Sequence, residues 1–253
     1  MKQGHFLLTG ATSGLGFAIA QSLLNAHYTI TLIVRDVNKA RALFPNQDLQ
    51  IIECDLTNMH DVLNLTQYFN SETRFDGMIH CAGLGYFKSI LAHEPHEILQ
   101  TYQVNMIHFS LLLNQCAPYL VKNPSIVGIS SQAAFATQPY AAHYGGSKAA
   151  LNHMLNALRI EQPHWHVLSV NVGPIRTPFH EKADPSGQYA QKMRHIMLDT
   201  DQLAGQILQA IQQRKSELNV PKVMHLLLKL YQLAPRLLEK YGRQFFLGKR
   251  RKE

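Results

Sequence analysis

Short apolar runs and stretches of helical spacing alternate along most of the chain. His5-Phe6-Leu7-Leu8-Thr9 is an apolar run that stops at a glycine. The spacing of Ile19, Leu23 and Leu24 predicts a helix over 15–26. β-Branched residues fill 28–34, a strand pattern, and Asp36 is placed to cap a helix through Leu43. The alternation continues with a strand at 49–53, a helix at 58–69, a strand at 76–80 and a long helix over about 97–120. A strand at 125–130, a helix at 143–161 and a strand at 166–171 follow. Repeated βα units of this length predict an α/β fold with a parallel sheet covered by helices on both faces. Right-handed crossovers make such a sheet doubly wound. No repeat or low-complexity linker interrupts the pattern, so residues 1–221 read as one domain. Residues 222–253 read as a helical extension in which Leu226, Leu230, Tyr231, Phe245 and Phe246 interleave with Lys and Arg. Pro235 should divide that extension into two helices.

Composition narrows the class. With 253 residues, 46% hydrophobic and 16% charged, the chain is too apolar for disorder and long enough for a large core. No apolar run reaches the length of a membrane span. No small-residue cleavage site follows the first apolar run, so a secretory signal is not expected. Cys54, Cys81 and Cys116 are far apart and odd in number, which fits free thiols in a reducing, cytoplasmic setting. The net charge of +7 lies wholly in 222–253, which holds nine basic and two acidic residues. The body is therefore neutral and presents no basic stripe for nucleic acid. The basic extension fits peripheral contact with an anionic membrane. It also fits a helix pair docked on the body or on a second subunit. Among fourteen histidines, His93-Glu94-Pro95-His96 and His164-Trp165-His166 lie closest together. There is no H-E-x-x-H, and Pro95 disrupts a helical ligand face, so no functional metal is expected.

Thr9-Gly10-Ala11-Thr12-Ser13-Gly14-Leu15-Gly16 joins the first predicted strand to the first helix. Glycines let a backbone turn sharply and approach a pyrophosphate, and the helix start offers free N–H groups and a positive dipole end. Gly10, Thr12, Ser13, Gly14, Leu15 and Gly16 are thus candidate cofactor contacts. At the end of the second strand, Arg35 suits the 2′-phosphate of NADP, whereas Asp36 would suit the ribose hydroxyls of NAD. NADP is favoured and NAD stays open. Asp55 can accept a bond from the adenine amino group or cap the next helix.

Tyr144-Gly145-Gly146-Ser147-Lys148 sets a phenol and an ammonium one helical turn apart. A phenol is a poor acid–base group at neutral pH, and a neighbouring ammonium lowers its pKa. Tyr144 could then exchange a proton with a carbonyl or alcohol oxygen. The same pair could be an ordinary surface Tyr and Lys. Ser131, at a strand end 13 residues earlier, could share developing charge on the substrate oxygen. Asn105, within the long helix, could hold a water linking Lys148 to solvent.

Together these residues resemble the short-chain dehydrogenase/reductase family from His5 to about Pro221. The resemblance rests on Thr9-Gly10-x-x-x-Gly14-x-Gly16, Cys81-Ala82-Gly83, Asn105, Ser131, Tyr144-x-x-x-Lys148 and Asn171-Val172-Gly173-Pro174-Ile175-Arg176-Thr177. It implies a Rossmann fold and an NAD(P)-dependent carbonyl–alcohol reaction. It casts Tyr144 as general acid/base, Lys148 as a ribose ligand that lowers the Tyr pKa, Ser131 as the substrate-orienting hydroxyl and Asn105 as part of a proton relay. Ala82 and Gly83 would lie along the cofactor. Gly173, Pro174, Ile175 and Thr177 would hold its nicotinamide end, and 178–200 would form a lid. The substrate would be a small carbonyl or alcohol, lipophilic if the extension meets a membrane, and the protein a homodimer or homotetramer. A catalytically weak NADP-binding regulatory protein is the alternative. Two departures stand out. His80-Cys81 replace the usual Asn-Asn, and Val172-Gly173-Pro174 replaces the usual Pro-Gly.

Overall fold

The computed structural model describes residues 4–243 except Asn46 and Asp48. Phe245, Phe246 and the last cluster of basic residues lie outside the described residues. In chain order the elements are β1 (His5–Thr9), α1 (Gly14–Asn25), β2 (Thr29–Val34), α2 (Val37–Leu43), β3 (Gln50–Glu53), α3 (Met59–Leu63) and β4 (Phe75–His80). Then come α4 (Pro95–Tyr102), α5 (His108–Cys116), β5 (Leu120–Ser131), α6 (Ala142–Glu161) and β6 (His166–Val172). The last are α7 (Phe179–Ala183), α8 (Gln188–Met193), α9 (Thr200–Gln212), β7 (Glu217–Val220), α10 (Lys222–Leu233) and α11 (Pro235–Tyr241).

The strands pair in the order β3-β2-β1-β4-β5-β6-β7, all parallel. Successive strand side chains point to opposite faces, so each strand feeds two cores. Leu8, Ile30 and Leu32 join α1 and α9 residues such as Ile19, Leu23 and Ile207 on one face. Leu7, Ile33 and Met78 join Phe109, Leu112, Leu151 and Leu155 of α5 and α6 on the other. The sheet is the doubly wound one expected. Strand order reverses between β1 and β4, the crevice where such sheets place ligands. Thr9 pairs with His80, His80 with Gly128, and Ser131 with Val172. The ends of β1, β4, β5 and β6 therefore line that crevice.

The structure corrects three elements. The helix expected over 58–69 stops at Leu63, where the Asn64 side-chain amide donates to the His60 carbonyl, and a 3₁₀ turn follows at Leu65–Tyr68. The long helix over 97–120 is two α-helices joined by a π-helical turn, Gln103–Ile107, and it ends in a 3₁₀ turn containing Pro118. Strand β5 starts at Leu120 rather than 125. Strand β7 is four residues long and half-exposed, too short for its period to show in the sequence. Pro235 does separate α10 from α11.

Candidate active site

The turn after β1 is built by backbone contacts that only glycine permits. Gly10 has φ +75°, and a Cβ there would lie 2.6 Å from the Ala82 nitrogen. A Cβ on Gly16 would meet the Gly10 carbonyl at 2.1 Å. Helix α1 begins with Ser13 at its N-cap, exposed and making no side-chain cap bond. Half-buried Thr12 and Gly14 flank it, while Leu15 turns into the core. A cradle that a Cβ would fill, opening on the uncapped start of a twelve-residue helix, fits a dinucleotide pyrophosphate.

His80 settles the bonding at the turn where it replaces an amide. Its Nε2 lies 2.9 Å from the Val104 carbonyl, which can only accept, so that nitrogen carries the proton. Nδ1 then accepts from the Thr9 hydroxyl at 3.0 Å. The Thr9 oxygen in turn accepts from the Cys81 and Ala82 N–H groups at 3.2 and 3.1 Å. One neutral imidazole thus ties β1, the Cys81-Ala82 turn and the π turn together. Its ring stacks on Phe109 at 4.7 Å. Burial, with the Lys148 ammonium adding to it, pushes its pKa down to about 3. Burial likewise pushes the Cys54, Cys81 and Cys116 thiols up to about 12, so all three stay neutral.

Asn105 sits in the π turn, fully buried. Its Oδ1 accepts from the Leu84 N–H at 2.9 Å, and its Nδ2 donates to the Leu84 carbonyl at 2.8 Å and to Ser147 Oγ at 2.9 Å. Ser147 Oγ donates to the Tyr144 carbonyl at 2.8 Å. The Asn105 amide is a bracket that holds the loop after β4 to α6. Both its N–H groups are used, so Oδ1 alone has spare capacity for a water. A Cβ on Gly83 would lie 3.2 Å from Asn105 Oδ1 and 3.3 Å from Lys148 Nζ. The bare Gly83 Cα therefore faces both side chains.

Ser131 closes β5. Its hydroxyl donates to the Val172 carbonyl at 3.3 Å and accepts from the Ala133 N–H at 3.1 Å, and it stands near enough to the Tyr144 phenol to pull that group's pKa down. Lys148 Nζ is buried and donates to the Ile129 carbonyl at 2.8 Å. The structure thus brings Ser131, Tyr144 and Lys148 to the ends of β5 and α6, with Asn105 behind them. Burial holds the Tyr144 phenol above its ordinary pKa, opposed by Ser131, while burial brings Lys148 down to about 8.

The remaining candidates divide. Gly173 donates to the Val220 carbonyl at 2.7 Å, and Pro174 and Arg176 pair with Leu198. Ile175 bridges to Leu198 and accepts from His180 Nε2 at 2.9 Å. A Cβ on Gly14 would meet the Thr177 side chain at 2.9 Å, so the phosphate turn and the 173–177 loop close on each other. Arg35 is exposed. Asp36 is the N-cap of α2, accepting from the Lys39 N–H at 2.9 Å. Asp55 accepts from the Thr57 N–H and hydroxyl at 2.8 and 2.9 Å, and Asn58, not Asp55, caps α3. Among the described residues no three His, Cys, Asp or Glu side chains converge as metal ligands would.

Sequence reasoning missed the aromatic wall. Tyr144 packs against Phe87 at 6.0 Å and Phe179 at 5.4 Å, and Tyr189 meets Phe87 at 5.0 Å. The neighbouring Tyr144 adds to burial in raising the Tyr189 phenol's pKa. Phe87 comes from a loop, and Phe179 and Tyr189 from helices of five and six residues, too short for an apolar period to show. The region 178–200 is folded into α7, α8 and their links.

A sequence model described as short chain dehydrogenase matches residues 5–187. A probable short-chain type dehydrogenase/reductase, VdlC of Helicobacter pylori, is 28% identical over 185 residues, covering 70% of this chain and 67% of that protein. A fatty acyl-CoA reductase of Acinetobacter baylyi is 29% identical over 186 residues, covering 68% and 62%. The match thus spans about two thirds of the length of these curated relatives, and less for the second. Among solved structures, a short-chain dehydrogenase from Sphingobium yanoikuyae in complex with NADPH superposes with a TM-score of 0.76 at 22% identity, over 98% of this chain and 96% of that one.

Proposed function

The chain belongs to the short-chain dehydrogenase family, and we propose that it exchanges a hydride between a nicotinamide cofactor and a carbonyl or secondary alcohol. The observation that carries this reading is the buried Tyr144 phenol beside Ser131 at the crevice end of the sheet, where the Ser131 hydroxyl opposes the effect of burial on its pKa, with Lys148 one turn along α6. When bound, the cofactor supplies or accepts the hydride. Gly10, Thr12, Ser13, Gly14, Leu15 and Gly16 would hold its pyrophosphate. Ala82, Gly83, Gly173, Pro174, Ile175 and Thr177 would flank its nicotinamide half, and Asp55 its adenine. Asp36 already spends its carboxylate on α2, while Arg35 stands exposed beside it. That division supports NADP over NAD.

Tyr144, kept protonated by burial, gives its proton to the carbonyl oxygen in reduction and takes one back from the alcohol in oxidation. Ser131 bonds the same oxygen and shares its charge. Lys148 and Asn105 meet at Gly83, beside the path a returning proton would follow. Phe87, Phe179 and Tyr189 wall the space beside the phenol with apolar surface, which supports a substrate with an apolar body. The named substrate class of the Acinetobacter relative is in keeping with this. Helices α4–α5 and α6 are the expected pairing surfaces of a homo-oligomer.

The test is NADPH oxidation across a panel of apolar ketones and aldehydes. The wild-type chain should turn over at least one of them. Tyr144→Phe should lower kcat roughly 10²–10⁴-fold and leave the Kd for NADPH unchanged. Full turnover by the variant would overturn the assignment. Tight NADPH binding with no turnover on any substrate would show a regulatory binding protein instead.

A further inference from the structure

The extension bears two apolar stripes. Along α10 the inner one, Met224, His225, Leu228 and Tyr231, is half-buried against the body. The His225 ring meets Phe135 at 5.1 Å, and the Tyr231 hydroxyl bonds Thr137 Oγ1 at 2.9 Å. Among the described residues nothing covers the outer stripe. Leu226, Leu227, Leu230 and Leu233 are 62%, 61%, 54% and 80% exposed, and Leu237 and Leu238 of α11 continue it at 60% and 46%. The spacing of four and three among Leu226, Leu230 and Leu233 puts them on one side of α10. An exposed patch of this kind marks an interaction site.

Charge identifies the occupant. Lys222, Lys229, Arg236 and Lys240 are exposed on the same two helices, and Arg243 is exposed just beyond them. Glu239 is the one acidic residue among them, and Arg236, Tyr231 and Thr137 engage it. Up to residue 221 the chain carries no net charge to complement these cations. A twofold pairing of the face with itself would set cation against cation. An anionic lipid surface satisfies both features, because headgroups meet the lysines and arginines while the leucines enter the acyl boundary. Neither helix is long and apolar enough to cross a membrane, so they would lie in its plane.

We propose that the outer face of α10 and α11 is a docking surface for an anionic bilayer. The same helices pack beside Gln132–Phe135, the segment that follows Ser131. Gln132 Nε2 donates to the Pro221 carbonyl at 3.0 Å, and Lys229 Nζ stands 5.5 Å from the Phe135 ring centre. Docking would therefore bring the active-site end of the sheet close to the membrane.

Vesicle flotation of the full chain tests this, with phosphatidylcholine alone and with phosphatidylcholine mixed with phosphatidylglycerol. The wild type should float only with the mixed vesicles, and raised salt should weaken it. Leu226→Asp with Leu230→Asp should cut binding roughly tenfold or more, with unchanged circular dichroism and NADPH affinity. Lys240→Glu, at an exposed position whose ammonium stands only over the Tyr241 ring, should weaken binding several-fold. Failure of the wild type to float with mixed vesicles overturns the proposal, as does undiminished flotation of the double variant. A wild-type dimer that the double variant makes monomeric would reassign the face to a second copy. Flotation without NADPH turnover would leave this surface standing and remove only the reaction reading.

Discussion

Residue His80 shows how one buried side chain can serve both architecture and site. Its two nitrogens bond Thr9 and the Val104 carbonyl, so the glycine turn and the π turn move together. Its pKa is held near 3, while an unfolded imidazole titrates near ~6.5. Above that value both states are neutral, and the contribution to stability is fully present. Below it the unfolded chain takes up a proton that the folded chain refuses. Stability is therefore lost progressively as pH falls from about 6.5 toward 3, at up to about 1.4 kcal/mol per pH unit for this one group. His80→Gln keeps a hydrogen-bonding side chain and cannot titrate. It should unfold more easily at pH 7, yet lose less stability between pH 6.5 and 4.5 than the wild type. Urea unfolding at several pH values measures the difference. Parallel curves would show that His80 does not carry the acid limb. His93, His166 and His225 are also held low by burial, so the variant should flatten the limb without abolishing it.

At the scale of elements, the segment that carries Phe179 and Tyr189 beside Tyr144 is held by one buried carboxylate. Asp184 Oδ1 accepts from the Ser186 N–H and hydroxyl at 3.2 and 2.5 Å, and Oδ2 accepts from the Tyr189 N–H at 2.8 Å. The Phe87 N–H donates to the Ala183 carbonyl at 2.7 Å, which fastens the segment to the loop after β4. Asp184→Ala should free Tyr189 and loosen the wall beside the phenol. KM for an apolar carbonyl should rise roughly tenfold, about 1.4 kcal/mol, with NADPH affinity unchanged. Steady-state kinetics on one substrate suffices, and an unaltered KM would show that 184–189 does not cover the site. That segment also marks where the sequence stops being legible. Tyr144, Lys148, Ser131 and the glycine turn could be read because short spacings on regular elements place them. Phe87, Phe179 and Tyr189 could not, because tertiary contacts alone bring a loop and two very short helices to one point. The π turn escaped for a related reason. Its extra residue leaves the apolar period of 97–120 nearly intact while rotating Asn105 onto Leu84 and Ser147.

At the scale of the whole molecule, the doubly wound parallel sheet followed from repeated βα units and crossover handedness, whereas the place of the extension did not. Its leucines and cations gave amphipathic helices but could not say which apolar stripe meets the body, since both have helical spacing. The structure puts the inner stripe against Gln132–Phe135 and β7, and Met224 next to Gly173, where an added Cβ would lie 3.5 Å from its sulfur. The extension thus buttresses two segments of the active site. Removing residues 222–253 should therefore do more than abolish vesicle binding. Exposing the surface under Met224, Leu228 and Tyr231 should cost on the order of 2–4 kcal/mol, and lower Tm by several degrees at roughly 2–4 °C per kcal/mol. Turnover should fall as well, because Ser131 and Gly173 lose their backing. The double substitution Leu226→Asp and Leu230→Asp touches only the outer stripe and should leave Tm and turnover at wild-type values. Calorimetry and steady-state assay of the two proteins side by side separate the roles of the stripes. A truncated chain with wild-type Tm and turnover would show that the inner stripe supports nothing, and that the extension is independent of the site it adjoins.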